Sequence, residues 1–85
     1  MKDKKLAETI CNVWNEHHTG YFLHADTNAE IEETSGEYNV KISPALHNDG
    51  ETFLHAEALA DVCRAFNVNN YLCVNRFGEI IAYIS

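Results

Sequence analysis

Between residues 53 and 66 apolar side chains return with the period of an α-helix. Leu54, Ala58, Leu59, Val62, Cys63, Ala65 and Phe66 share a broad face, and only Glu57, Asp61 and Arg64 mark a wet stripe. The run Asn67-Val68-Asn69-Asn70 stops this helix. Period two then takes over, with residues 71–75 and 79–84 alternating around Arg76-Phe77-Gly78, a three-residue loop that puts Gly78 in the left-handed position. Such a loop pairs Asn75 with Glu79, Val74 with Ile80, Cys73 with Ile81, Leu72 with Ala82 and Tyr71 with Tyr83. Leu72, Val74, Ile80, Ala82 and Ile84 then form a face for helices. The reverse face carries Tyr71, Cys73, Ile81 and Tyr83, and is too apolar to be left wholly in water.

The first half of the chain alternates in the same way. Residues 4–17 gather Leu6, Ala7, Ile10, Val13 and Trp14 into one arc, with Lys5, Glu8, Thr9, Asn12, Asn15 and Glu16 on the other side of a helix. Thr19-Gly20 is its expected end, with Gly20 as a left-handed cap. Residues 21–24 are a strand stub or a packed loop. From 29 to 43 a two-residue turn at Ser35-Gly36 sets Ala29 opposite Ile42, Ile31 opposite Val40 and Glu33 opposite Tyr38 on a largely apolar side. It sets Glu30 opposite Lys41, Glu32 opposite Asn39 and Thr34 opposite Glu37 on a polar one. A slip of one residue would scramble that division, so turn and register support each other. Residues 44–50 have two readings. They are a loop that caps the following helix at Asp49 or Thr52, or Asn48-Asp49-Gly50 is a second tight turn, 51–54 an extra strand and the helix starts near Ala56. The helix is expected to begin between Thr52 and Ala56.

These elements predict one α+β domain over residues 1–85. It is a two-layer sandwich of order α-β-β-α-β-β, with the extra strand near 51–54 as a variant and both helices on one face of an antiparallel sheet. The expected core is Ile10, Val13, Trp14, Ile31, Val40, Ile42, Leu59, Val62, Phe66, Leu72, Val74, Ile80 and Ile84. Two stacked αββ units are conceivable, but the halves share no alignable residue pattern.

The charge of −7 comes from 13 acidic and 6 basic residues, and the bases form no patch, so a phosphate backbone would be repelled. Direct nucleic-acid binding is not expected. Cys11, Cys63 and Cys73 are odd in number and set in apolar runs, which fits reduced thiols in a cytoplasmic protein. The basic start, Met1 to Lys5, leads into an amphipathic helix, so neither a signal peptide nor a membrane span is read there.

Candidate chemistry is thin. His55-Ala56-Glu57 near the start of the second helix resembles the His-x-Glu of zinc-dependent nucleobase deaminases, and the element order resembles the first half of that fold. The resemblance implies a metal ligand at His55 and a proton-shuttling carboxylate at Glu57. The family's Pro-Cys-x-x-Cys is missing: the cysteines after Glu57 are Cys63 and Cys73, neither preceded by Pro. Packing of His55 at the helix start, with Glu57 near the positive end of the dipole, is the plainer reading. His17, His18 and His24 are a second weak metal group, since neighbouring helical positions diverge too far to share an ion. Neither Cys63 nor Cys73 adjoins a base that would make it a nucleophile. The acids of the first hairpin read as a solvated face.

No catalytic residue, metal or cofactor is therefore assigned. The expected role is a non-catalytic protein-binding module or homo-oligomeric accessory protein. Its contact face is Tyr71, Cys73, Ile81 and Tyr83, and its partner is another protein or a second copy. An acidic inhibitor of a nucleic-acid enzyme and a degenerate zinc site at His55 and Glu57 are the alternatives.

Overall fold

Ser35 and Gly36 both adopt left-handed backbone, at φ 53° and 79°, and this closes the first hairpin with a turn whose twist matches its strands. In the computed structural model, which describes residues 1–21, 27–43 and 49–85 and the side chains of 1–16, 27–43 and 54–85, β1 (Asn28–Thr34) and β2 (Glu37–Ser43) pair around it. The register is the expected one throughout, from Asn28 opposite Ser43 to Thr34 opposite Glu37. The second hairpin, β3 (Asn70–Val74) and β4 (Ile80–Ile84), also has its expected pairs, with Gly78 at φ 77° in the loop.

The helices are α1 (Lys4–Tyr21) and α2 (Asp49–Ala65). Asp3 caps α1, its Oδ1 accepting the Leu6 N–H at 3.1 Å. The helix runs on through Thr19 and Gly20 to Tyr21, so Gly20 is not its left-handed cap; a single glycine costs a helix only about 1 kcal/mol, too little to end one that other forces extend. Residues 22–24 of the apolar run lie outside the described residues. α2 starts at Asp49, earlier than the expected Thr52 to Ala56. This excludes an extra strand at 51–54: Asp49 and Gly50 belong to the helix and not to a tight turn between strands, and residue 48 lies outside the described residues. At its far end Asn67 is left-handed, at φ 58°. The Asn67 N–H donates to the Arg64 carbonyl at 2.9 Å and the Val68 N–H to the Cys63 carbonyl at 3.1 Å, a Schellman closure with buried Val68 folded against buried Cys63.

The architecture is α+β, in the order α-β-β-α-β-β, with both helices packed on an antiparallel four-stranded sheet of strand order β1-β2-β4-β3. α1 packs on β1 and β2, and α2 on β3 and β4. Two αββ units thus lie side by side, joined where β2 pairs with β4 through Val40 and Ala82, Lys41 and Ile81, and Ile42 and Ile80. Past Val40 the joint is finished by other groups. The Asn39 side chain, buried, accepts the Ile84 N–H at 3.1 Å, and the Met1 carbonyl accepts the Tyr38 N–H at 2.6 Å.

Ile10, Trp14, Val40, Ile42, Leu59, Ile80 and Ile84 are buried as expected, joined by Ala7, Cys11, Ala29, Cys63, Val68 and Ala82. Ile31, Val62, Phe66 and Leu72 pack on this core partly buried, and Val13 is half-buried. Two expectations fail. Val74, on the helix side of β3, is 52% exposed because β3 is the last strand of the sheet. Leu54 is exposed to the same extent and Ala65 is exposed too, while His55 turns inward, so the buried stripe of α2 runs through His55, Leu59 and Cys63. No helix among the described residues is long and apolar enough to cross a membrane.

Candidate functional site

Strand alternation sends every second side chain of the β3–β4 hairpin away from the helices. Tyr71 then stands opposite Tyr83 and Cys73 opposite Ile81. Tyr71 is 69% exposed and Tyr83 43%, while Cys73 and Ile81 are half-buried beside them. The four residues singled out from the sequence therefore form one contiguous patch on the sheet's outer face.

The other half of that face is charged. Lys41 lies opposite Glu30 in β1 and opposite Ile81 in β4, so the patch and the charges meet at one residue. Its Nζ stands 3.2 Å from Glu30, 3.4 Å from Glu32 and 3.8 Å from Glu79. The hydrogen bond that Lys41 donates to Glu30, helped by Glu32 and the nearby Glu79 charge, holds the Lys41 ammonium above its ordinary pKa despite partial burial. Glu37 pairs with the Met1 amino group, and that hydrogen bond keeps its carboxyl below the usual range.

At the loop end Asn75 organises the turn. Its Oδ1 accepts the Phe77 and Glu79 N–H groups at 2.9 and 3.0 Å, and its Nδ2 donates to Glu79 Oε1 at 2.9 Å. Phe77 is left exposed at the tip with the Arg76 guanidinium over its ring, 5.0 Å from the centroid. Sequence reasoning did not pick out Phe77, although an aromatic residue inside a tight hairpin loop has no core to reach.

The chemical candidates are not brought together. His55 is 1% exposed, its ring tilted against Trp14 at a centroid distance of 6.1 Å, whereas Glu57 is exposed. Two residues apart within a helix point to opposite sides, and both sit well inside α2 because it starts at Asp49. Neither residue is therefore at a helix start. Burial pushes the Cys11 thiol up to about 11, with Glu30 and Glu8 adding to the shift, and burial does the same to Cys63. Both are protonated near neutral pH and poor nucleophiles or ligands. The cysteines are free thiols, and among the described residues no three His, Cys, Asp or Glu side chains cluster as a metal site. The side chains of His17 and His18, and all of His24, lie outside the described residues.

Two asparagines that sequence reasoning left in solvent hold backbone instead. Besides Asn39, Asn15 of α1 donates through Nδ2 to the Ala29 carbonyl at 2.9 Å and accepts the Ala29 N–H through Oδ1 at 2.7 Å. Its carboxamide thus takes the place of a neighbouring strand along β1.

No family model, curated protein or solved structure significantly matches the chain.

Proposed function

We propose that the chain is a non-catalytic protein-binding module that holds a partner protein on the outer face of β3 and β4. One observation carries this reading: Tyr71, largely exposed, and Tyr83, partly so, stand over half-buried Cys73 and Ile81, in a patch bordered by the Lys41 charge network. Tyrosine offers apolar area with a polar tip at low entropic cost, and an apolar centre beside a charged rim is the usual anatomy of a protein contact. Free, buried Cys11 and Cys63 support a reducing compartment such as the cytoplasm. The alternative of an acidic inhibitor draws no support from Glu30, Glu32 and Glu37, whose charges are already paired within the chain.

Affinity capture with the wild type and with Tyr83→Ala tests the proposal. A partner retained by the wild type should be weakened at least tenfold by the variant, about 1.4 kcal/mol, while far-UV circular dichroism stays the same. An identical partner set captured with equal strength would remove the face from consideration.

A further inference from the structure

The two edges of the sheet are not alike. On β1 the outward backbone groups of Ala29 are occupied by Asn15, and the strand carries Glu30, Glu32 and Glu33, the kind of charge that keeps an edge from pairing. β3 has neither device. Asn69 and Ser85 exchange both backbone hydrogen bonds, at 2.9 and 3.0 Å, so the odd-numbered residues of β3 face β4 and Asn70, Leu72 and Val74 turn their N–H and C=O groups outward. Among the described residues no backbone group pairs with that edge, and no residue from 69 to 74 is charged.

We infer that the β3 edge pairs with β3 of a second copy, antiparallel about a twofold axis at Leu72, and makes one sheet of both molecules. A partner must bring a strand able to satisfy that edge, and β3 satisfies itself. Asn70 falls opposite Val74 of the second copy, Leu72 opposite its counterpart, and Tyr71 opposite Cys73. The seam is neutral, whereas the acidic β1 edge lies three strand spacings away, about 14 Å, beyond the screening length of about 8 Å at physiological salt. A chain of net charge −7 can thus meet its own copy without opposing like charges along the strands. The pairing also covers Val74, the helix-side residue left half in water. The inference rests on the reading of the outer face as a contact surface. In the dimer, Tyr83 and Tyr71 continue into Cys73 and Ile81 of the second copy, so a docked partner meets one doubled patch. A seam of two short strands is small, which sets the expected dissociation constant at roughly tens of micromolar.

Light scattering on the full chain tests this. The mass should rise from 9.6 kDa toward twice that between about 1 µM and 1 mM, and Val74→Lys, which sets charges on both sides of the seam, should stay at 9.6 kDa with an unchanged circular dichroism spectrum. Tyr71→Cys provides an independent readout. Tyr71 and Cys73 of the second copy form a non-hydrogen-bonded pair, about 4.5 Å between Cα atoms and within disulfide reach, so mild oxidation with oxidised glutathione should give a cross-linked dimer. Glu57→Cys, on the exposed side of α2, serves as the control and should not cross-link at that rate. A wild type that stays at 9.6 kDa throughout, an undiminished dimer in Val74→Lys, or equal cross-linking by the two cysteine variants would each overturn the inference. Tyr83 lies off the seam, so loss of partner capture in Tyr83→Ala with self-association intact counts against the docking face alone. Partner capture by a strictly monomeric wild type counts against the seam alone.

Discussion

A serine in left-handed conformation is a small local conflict with a defined place in this fold. Ser35 and Gly36 both need positive φ to turn the first hairpin, and a side chain with a Cβ adopts it at a cost of about 1–2 kcal/mol. A Cβ on Gly36 would meet nothing within 4 Å, so Gly36→Ala should cost about 1–2 kcal/mol through the backbone alone. Ser35→Asn, with a residue type that tolerates the conformation, should raise stability by about 0.5 kcal/mol. Urea unfolding of both variants checks the pair, and a neutral Gly36→Ala would show that the turn does not hold this geometry in solution. Asn15 and Asn39 show what a residue-by-residue reading misses. Each looks like a surface residue, and each is spent on a backbone group of a distant strand that periodicity does not locate.

At the scale of elements, both hairpin registers were legible because a turn of known length dictates every pair beyond it, and the alternation of Ile31, Val40 and Ile42 with Glu30, Glu32 and Lys41 admitted only one choice. The four residues of the candidate face were legible for the same reason. Helix ends were not, because the preferences of Gly20 and of Asp49-Gly50 are local, about 1 kcal/mol each, and too small to fix where a helix stops or starts. The Lys41 network ties β1, β2 and the residue before β4 together, and its pH dependence has a definite sign. Because the folded-state pKa of Lys41 lies above the ordinary 10.5, its contribution is complete below 10.5 and is lost as the pH rises through the raised value. Wild type should therefore be more stable than Lys41→Met at neutral pH, and the gap should close in strongly alkaline solution. A gap independent of pH would mean that the aliphatic stem beside Ile81, and not the charge, is what the substitution removes.

At the scale of the whole molecule, the sheet order β1-β2-β4-β3 was the part hidden from the sequence, because contact between β2 and β4 is set by neither a turn nor a repeat. That order exposes Val74, buries Asn39, and brings the charged half of the outer face against Ile81. It also sets a timetable. Each αββ unit is contiguous in the chain, so each can organise early, hairpins closing in about 1–10 µs, while the joint must bring together residues as far apart as Val40 and Ala82 and waits on a slower search. Trimming the joint with Ile80→Val should therefore slow refolding, whereas trimming the periphery of the core with Val62→Ala should mainly hasten unfolding. Stopped-flow chevrons separate the two limbs, and refolding slowed equally by both would mean that the units do not assemble ahead of their union.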